Sequence, residues 1–162
     1  MVKPATVRLV LAIAVSYKWE LRQLDVSNAF LHGFLKEEVY MHQTPRYVDL
    51  AHPNYVYKLH KSLYGVKQAP RAWFKRSAFQ LLHLEFTTSM VDNSLFFFFC
   101  SAHTIIYILL YVDDIIVTGN DSTQIHNLIA ALGQVFELKD LGPLNYFLGN
   151  QITKSTHGLT LT

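Results

Sequence analysis

The stretch from Leu95 to Val112 restricts the possible folds more than any other part of this sequence. It is eighteen residues long, contains no Asp, Glu, Lys or Arg, and ends directly at Asp113 and Asp114. Eighteen apolar residues are the lower limit for a membrane-spanning helix. However, Ser-Ala-His-Thr at 101–104 interrupts the run with turn-forming residues, and the Phe, Ile and Tyr residues around it favour strands. The run therefore predicts a hairpin of two buried strands.

Hydrophobic periodicity and turn-forming residues predict the other elements. One helix is capped by Thr6, one opens at Pro70 and runs to about Glu85, and one is capped by Asp121 or Ser122. The predicted strands are Glu20–Val26, Val39–His42, Tyr55–Leu59, Leu95–Cys100, Ile105–Val112, Ile115–Thr118 and Tyr146–Thr153. The strong elements follow the order strand, helix, strand, strand, helix, strand. This order predicts an α+β fold, a βαββαβ antiparallel sheet with helices on one face.

Charge is unevenly distributed along a chain whose net charge is only +2. Lys58–Arg76 contains six of the fourteen basic residues and no acidic residue, whereas Ser77–Leu138 contains no Lys or Arg and several aspartates. The basic segment suits contact with anions and the acidic segment suits cations. A solvated helix face is the plainer explanation of the basic run. The single cysteine, Cys100, excludes a disulfide framework and a Cys-rich zinc site.

Asp113 and Asp114 are the sharpest candidates for chemistry. They lie between two apolar segments, where carboxylates are costly to bury without a counter-charge, and Asp-Asp is not favoured in a two-residue hairpin turn. A chance dipeptide is the alternative, because the chain has seven aspartates. Neighbouring strand residues face opposite ways. Both carboxylates therefore reach one site only if the pair lies on the turn.

Asp25 is the second candidate, near the end of the predicted strand Glu20–Val26. In a βαββαβ sheet the first and third strands are adjacent, so Asp25 and the hairpin tip can meet at one edge. Three clustered carboxylates repel one another unless divalent cations neutralise them, and hard oxygen ligands select magnesium or manganese. Alternatively, Asp25 caps the turn at 27–31 that follows it. The residues alone leave both roles open.

Several blocks of the sequence resemble the reverse transcriptases of copia-type LTR retrotransposons, in that family's order. They are Leu24–Gly33 with Glu38–Met41, Lys58–Phe74, Tyr111–Asn120 with its Tyr-x-Asp-Asp pattern, and Phe136 with Lys139–Gly142 and Tyr146–Gly149. The chain departs from the family pattern in three places. The family usually has Gly-Phe or Gly-Tyr at Glu85-Phe86, Asp-His-Ser at Asp92-Asn93-Ser94, and Pro-Gly-Phe at Pro45-Arg46-Tyr47.

The resemblance implies a polymerase palm with partial fingers elements. It also implies RNA- and DNA-templated DNA synthesis, by two-metal transfer of nucleotides from dNTPs to a primer 3′-hydroxyl. Asp25, Asp113 and Asp114 match the catalytic ligands of two magnesium or manganese ions. Residues matching nucleotide contacts are Val26, Ser27, Asn28, Ala29, Phe30, Tyr64, Gly65 and Lys139. Residues expected to contact nucleic acid are Lys58, Lys61, Lys67, Arg71, Lys75, Arg76, Tyr111, Phe147, Leu148 and Gly149.

Some of these roles have structural alternatives. The backbone amides of residues 26–30 are expected to face the triphosphate, and Phe30 to exclude a ribose 2′-hydroxyl, although Phe30 could equally be a core residue. Lys139 is either a proton donor to pyrophosphate or an ordinary surface lysine. Tyr146–Gly149 is either a primer-gripping turn or plain core strand.

The resemblance also sets expectations for the chain as a unit. Residues 1–162 are expected to be one reverse transcriptase domain, truncated at both ends and without complete fingers, thumb or RNase H. The expected partners are an RNA or DNA template-primer, dNTPs and the remaining Pol domains, but no membrane. A non-catalytic relic or domesticated palm fragment that only binds nucleic acid is the main alternative. A magnesium phosphohydrolase is a further one, although the block from Tyr64 to Trp73 does not fit it.

Overall fold

The computed structural model describes residues 2–99, 103–147, 150–155 and 158–161. The sequence predictions for Cys100, Leu148 and Gly149 lie outside these ranges. The chain divides into two compact units. The first unit consists of Met1–Asn28 and Ala78–Thr162, and the second consists of Ala29–Ser77.

The described residues form three α-helices and one short 3-10 helix. These are α1 (Pro4–Ser16), α2 (Ala69–His83), α3 (Ser122–Gly133) and the 3-10 helix Ala29–His32. The strands are β1 (Glu20–Val26), β2 (Phe34–His42), β3 (Val56–Lys61), β4 (Thr87–Thr88), β5 (Leu95–Phe99), β6 (Ile105–Tyr111), β7 (Asp114–Gly119), β8 (Leu138–Pro143), β9 (Tyr146–Phe147), β10 (Asn150–Ser155) and β11 (Gly158–Leu161). Among the described residues, none of the helices combines the length and apolar character that a membrane crossing needs.

A six-stranded antiparallel sheet forms the centre of the first unit, in the order β4-β5-β6-β7-β1-β8. The predicted antiparallel sheet and the predicted pairing of the two buried strands, β5 and β6, are confirmed. The predicted strand order is wrong next to β1, because β7 lies between β1 and β6. A two-residue turn folds β7 directly back along β6, so β7 rather than β6 offers its free edge to β1.

The last strand of the sheet is also not the predicted one. Leu138–Pro143 forms the edge beside β1, while the predicted strand Tyr146–Thr153 is divided between β9 and β10. These two strands pair with each other, and β10 also pairs with β11, in a separate three-stranded sheet. Gly142 has a φ of 80° and Pro143 lacks an N–H for further pairing. Both residues end the sheet before Tyr146.

Helix α1 covers one face of the six-stranded sheet. Val7, Val10, Leu11 and Ala14, spaced as on one side of a helix, pack in a buried cluster with residues of β1, β6 and β7. This α1 cluster consists of Val2, Val7, Val10, Leu11, Ala14, Leu21, Leu109, Ile116, Leu144, Phe147 and Ile152.

Helix α3 lies on the opposite face. Successive residues of a strand point to opposite faces of the sheet. Because Leu21 of β1 belongs to the α1 cluster, Arg22 points to the face opposite α1, where it forms a salt bridge with Asp140. Burial raises the pKa of the Asp140 carboxyl, but hydrogen bonds from Gly142 and Arg22, with the charges of Arg22 and of His126 on α3, lower it below its ordinary value. The predicted pair of helices on one face concerned α2 and α3, which follow β1 in the βαββαβ order. Helix α1 precedes β1, so its place on the other face does not test that prediction.

Of the N-terminal caps predicted for α1 and α3, the one predicted for α3 is confirmed and the one predicted for α1 is wrong. Asp121 caps α3 as expected, and its side chain accepts a hydrogen bond from the Gln124 N–H at 3.0 Å. Thr6 does not cap α1. The helix begins at Pro4, whose fixed φ suits the first turn, with Lys3 as its N-cap, and Thr6 is buried inside the first turn.

The second unit is built around the antiparallel pair β2 and β3. Both strands are longer than predicted at the end that joins them to the 3-10 helix and α2. The turn expected at 27–31 is present as the 3-10 helix Ala29–His32, which Gly33 follows. A Cβ at Gly33 would lie 2.8 Å from the Ser62 Oγ and 2.8 Å from the Trp73 backbone nitrogen. Only glycine therefore allows the chain to pass this close to α2 before β2 begins.

Candidate active site

Asp25 and Asp114 lie directly opposite each other on the neighbouring strands β1 and β7. Direct partners in an antiparallel pair have side chains on the same face, with Cα atoms about 4.5–5.5 Å apart. The local sequence explains both positions. The apolar residues of β1 and β7 are buried, and the two carboxylates lie at or next to the ends of these strands. Both aspartates are half-buried. The expectation that Asp25 meets the hairpin tip at one edge of the sheet is confirmed at the level of the backbone register.

Asp113 lies on the turn between β6 and β7, next to Asp114. Tyr111 and Asp114 are register partners, so Val112 and Asp113 form a two-residue turn between them. Val112 has a φ of 51°, an uncommon conformation for a β-branched residue. The backbone oxygen of Asp113 accepts a hydrogen bond from the Val26 N–H at 2.9 Å. Of the two aspartates, Asp113 lies on the turn and Asp114 is the first residue of β7.

Four candidate residues form one cross-strand row at this end of the sheet. Asp25 is flanked by Asp114 on one side and by Lys139 on β8 on the other. Tyr111 on β6 is the partner of Asp114. The row therefore runs Lys139, Asp25, Asp114, Tyr111, and its members share one face of the sheet. Lys139 and Asp25 are far apart in sequence, by 114 positions, but they are neighbours in the sheet because the strands end at a common edge.

Burial and charge act together on Asp114. Burial raises the pKa of the Asp114 carboxyl above its ordinary value, and the negative charges of Asp113 and Asp25 raise it further. The Gln23 side chain opposes this rise, because its Nε2 donates a hydrogen bond to Asp114 Oδ1 at 3.2 Å. The negative charges of both neighbouring carboxylates thus act on Asp114 in the same direction as its burial.

The chemistry of this donor set fits a hard divalent cation. Carboxylate oxygens are the ligands that magnesium and manganese prefer, and a bound cation would relieve the repulsion that raises the pKa of Asp114. Among the described residues, no group of three or more His, Cys, Asp or Glu side chains is arranged to hold a metal ion. The residues are thus of the right type and on adjacent strands, but their oxygens do not converge on one point.

Two of the amides expected to face a triphosphate already have partners. The Val26 N–H donates to the Asp113 oxygen, and the Ser27 N–H donates to the Glu137 oxygen at 2.8 Å. These bonds continue the sheet pairing beyond the end of β1, which is why the two amides are turned toward protein atoms. The expected contact of the Val26 and Ser27 amides with a triphosphate stays a prediction, and it would require these two hydrogen bonds to open. The prediction for Asn28, Ala29 and Phe30 is not affected.

The other candidate nucleotide contacts lie in the second unit. The rings of Phe30 and Tyr64 pack edge to face with centroids 4.9 Å apart. Tyr64 is 57% exposed, so one side of this aromatic pair faces solvent. Gly65 follows with a φ of 87°, a conformation that favours glycine. Phe30 is half-buried, which leaves both its predicted roles open.

The basic residues predicted to contact nucleic acid also belong to the second unit. Lys58, Lys61, Lys67, Arg71 and Lys75 are exposed, and Arg76 is half-buried. They are spread over β3, the loop after it and the first turns of α2. Their exposure is what phosphate contacts require, and it equally fits the alternative of a solvated surface.

Tyr111 and Phe147 are in contact but differ in exposure. Their rings pack edge to face, 6.3 Å apart. Phe147 is only 3% exposed and belongs to the α1 cluster, whereas Tyr111 is half-buried against it. Phe147 thus takes the core-strand alternative, because a buried ring cannot reach a nucleic acid without rearrangement.

Gln23 is the residue that the sequence analysis missed. A polar side chain two positions before Asp25 lies on the same face of β1, so strand alternation could have identified it. It lies between Leu21 of the α1 cluster and Asp25 on this face. The signal was weak, because an isolated glutamine in a strand usually faces solvent.

The whole chain, residues 1–162, matches the family model described as reverse transcriptase (RNA-dependent DNA polymerase). It is 48% identical over 162 residues to the Retrovirus-related Pol polyprotein from transposon RE1 of Arabidopsis thaliana, covering 100% of this chain and 11% of that protein. Identity to the corresponding polyprotein from transposon RE2 of the same plant is 46%, with the same coverage. Identity to that from transposon TNT 1-94 of Nicotiana tabacum is 39% over 154 residues, covering 95% of this chain and 12% of that protein. No solved structure matches the chain.

Proposed function

The chain belongs to the reverse transcriptase (RNA-dependent DNA polymerase) family, and we propose that it carries the catalytic carboxylates of a retrotransposon reverse transcriptase. The resemblance to the copia-type enzymes is confirmed by the relatives that cover its whole length. The chain spans about a tenth of the length of these relatives, 11% in the first two. Template-directed transfer of nucleotidyl groups from dNTPs to a primer 3′-hydroxyl, with release of pyrophosphate, is therefore proposed for this segment as part of a larger polyprotein.

The direct pairing of Asp25 with Asp114, with Asp113 on the adjoining turn, is the observation that carries the proposal. We assign these three carboxylates as the ligands of two magnesium or manganese ions. When bound, such ions favour the ionised primer hydroxyl and offset negative charge on the triphosphate. Gln23 holds the Asp114 carboxylate in place through its amide. By resemblance to the family, we assign the first unit as the palm and the second unit as part of the fingers.

The remaining members of the cross-strand row have roles at the same edge. Lys139 is the register partner of Asp25, and we assign its ammonium group as the proton donor to the leaving pyrophosphate. Tyr111, opposite Asp114, presents a half-buried ring beside the carboxylates for the primer or template. By resemblance to the family, we also assign Asn28 and Phe30 to the incoming nucleotide, with Phe30 opposing a ribose 2′-hydroxyl.

Nucleic-acid binding without catalysis is the second candidate function. Two observations favour it: the exposed basic residues of the second unit, and the lack of a convergent metal-holding group among the described residues. Accessible cations are sufficient for salt-dependent phosphate contacts. The two candidates differ in whether the carboxylates of Asp25 and Asp114 are needed for any measurable activity.

A primer-extension assay tests the proposal. It compares the 162-residue chain with a longer protein that adds the flanking segments of the RE1 polyprotein, each with Mg²⁺ or Mn²⁺. We expect extension near background for the short chain and clear extension for the longer protein. Polymerisation needs the nucleotide, the primer end and the metal ions held together, and misplacement of these groups by about 1 Å can reduce rates on the order of a hundredfold.

Aspartate variants of the longer protein separate the two candidates. Asp25→Asn and Asp114→Asn should each reduce extension by about a hundredfold or more, while retaining salt-dependent binding of template-primer. Asp121→Asn is the matched control, because asparagine also caps helices well and leaves α3 intact. Wild-type extension by Asp25→Asn would overturn the catalytic assignment and leave nucleic-acid binding as the function.

A further inference from the structure

Phe34 presents an exposed aromatic ring beside two cations in the second unit. It is the first residue of β2 and the register partner of Lys61 on β3. The Lys61 Nζ is 5.8 Å from the centre of the Phe34 ring, and the Arg76 Cζ of α2 is also 5.8 Å from it. The ring is nevertheless 57% exposed. We refer to Phe34, Lys61 and Arg76 as the Phe34 cluster.

The backbone around Phe34 holds the ring in this exposed position. The preceding residue, Gly33, accepts a hydrogen bond at its oxygen from the Ser62 N–H at 2.9 Å and packs closely against Trp73. The Ser62 hydroxyl in turn donates to the Phe30 oxygen. These contacts join β2, β3, α2 and the 3-10 helix at the base of the Phe34 cluster. A large apolar ring fixed in solvent has no role in the core of this unit.

A second aromatic and lysine pair on the same two strands provides a contrast. Tyr40 and Lys58 are also register partners, with the Lys58 Nζ 6.0 Å from the Tyr40 ring. There, Glu38 pairs with Lys58 and accepts a hydrogen bond from the Tyr40 hydroxyl, so the charge is neutralised. Within the described ranges, neither Lys61 nor Arg76 has a carboxylate at salt-bridge distance. The Phe34 cluster therefore has uncompensated positive charge beside an exposed ring.

We propose that the Phe34 cluster is a contact site for single-stranded nucleic acid, in which one unpaired base stacks on Phe34 while Lys61 and Arg76 bind the adjoining phosphates. An exposed ring next to cations is the combination that binds single strands with little sequence preference. A duplex offers its phosphates to the cations but keeps its bases stacked inside, so it cannot use Phe34. The site rests on the proposed function, since it binds the unpaired part of a template, but it needs neither metal nor catalysis.

Equilibrium binding of a fluorescent dT oligonucleotide to the 162-residue chain, in EDTA and over a range of salt concentrations, tests the site. Phe34→Ala should weaken binding by roughly 5- to 100-fold, the range that stacking of one base accounts for, and leave the salt dependence unchanged. Lys61→Gln should instead reduce the slope of log K against log salt by about 0.7, because one phosphate contact is lost. Binding of a blunt duplex of equal length should not respond to Phe34→Ala.

Three matched variants complete the experiment. Phe79→Ala removes a similarly exposed ring, 62% exposed, in the first unit, and should bind as the wild type does. Lys58→Gln should change the salt slope less than Lys61→Gln, because Glu38 already neutralises Lys58. Phe34→Trp keeps a stacking ring and should retain or increase affinity, so the proposal stays testable if Phe34→Ala is poorly folded.

The outcomes distinguish this inference from the proposed function. If the wild-type chain does not bind the oligonucleotide, nucleic-acid binding by the second unit is wrong, and the cluster proposal fails with it. If the wild type binds and Phe34→Ala binds equally well, only the Phe34 cluster is wrong. Equal loss of single-strand and duplex binding in Phe34→Ala would also overturn it, because stacking of an unpaired base predicts a selective loss.

Discussion

Gln23 is the side chain that holds a candidate metal ligand in place. Its amide donates to Asp114 at 3.2 Å, on the same sheet face as Asp25 and Asp114. A donor at this position steadies a carboxylate that is otherwise exposed to the repulsion of two negative neighbours. A glutamate could not donate and would add a further negative charge to the row. The extension rate should therefore depend on two separable properties of residue 23: its ability to donate a hydrogen bond and its lack of charge.

The variants Gln23→Leu and Gln23→Glu test this role in the longer protein used for primer extension. Gln23→Leu should reduce the extension rate about tenfold or more, because a hydrogen bond to a charged group contributes about 1.5–3 kcal/mol. Gln23→Glu should reduce it further at low Mg²⁺, with partial recovery as Mg²⁺ is raised. Gln124→Leu, on the exposed side of α3, is the control. Wild-type rates and Mg²⁺ dependence in both Gln23 variants would show that Asp114 needs no such support.

The end of α2 shows how one family departure affects an element. The Phe86 N–H donates to the Leu81 oxygen and the Glu85 N–H to the Leu82 oxygen, both at 3.0 Å. These are the two hydrogen bonds of a Schellman motif, which places its left-handed residue at Glu85. Glu85 accordingly has a φ of 67°. This is the position at which the family usually has glycine, and only glycine adopts that conformation without a Cβ penalty.

Replacing this residue with glycine should stabilise the chain. Glu85→Gly removes the left-handed penalty and should raise the free energy of unfolding by about 1 kcal/mol, measured by urea denaturation. Glu85→Ala is the matched control, since it removes the same charge but keeps the Cβ, and it should show no such gain. Equal stability of the two variants would mean that the conformation of Glu85 is not strained.

The pairing of the strands shows where sequence reasoning stops. Apolar runs and turn residues predicted β1, β5, β6 and β7 with small errors at their ends, because local patterns decide whether a segment is a strand. They did not predict that β7 separates β1 from β6. That order depends on which strand edge is free after the hairpin closes, and such a long-range choice leaves no periodic signal in the sequence.

The same division applies to the candidate site in the whole molecule. Asp25, Asp113 and Asp114 were identified because carboxylates next to apolar strands break a local rule, and such breaks tend to mark function. Gln23, for which strand alternation is only a weak signal, and the use of the Val26 and Ser27 amides within the sheet break no such local rule. Their roles depend on partners from other strands, which only the folded register brings close.

Asp92 joins distant parts of the first unit. Its Oδ2 accepts a hydrogen bond from the Lys3 N–H at 2.8 Å, across 89 positions of sequence, and its Oδ1 accepts one from the Ser94 N–H at 3.0 Å. Burial raises the pKa of the Asp92 carboxyl, but the bonds from Lys3, Thr6 and Ser94 outweigh it and lower the pKa below its ordinary value. The ionised carboxylate thus secures the start of α1 to the loop before β5.

The stability of the chain should therefore depend on pH through Asp92. A carboxyl whose pKa is lowered by folding stabilises the folded state above its unfolded pKa, about 3.9, and this contribution is lost as the pH falls through the folded pKa. Asp92→Asn should lower the free energy of unfolding at pH 7 by about 1–3 kcal/mol, because its amide cannot accept all three bonds. Urea denaturation at several pH values should show this difference shrinking below about pH 4, while Asp121→Asn stays close to the wild type throughout. A difference that persists unchanged at the lowest pH would mean that Asp92 acts through packing rather than through its charge.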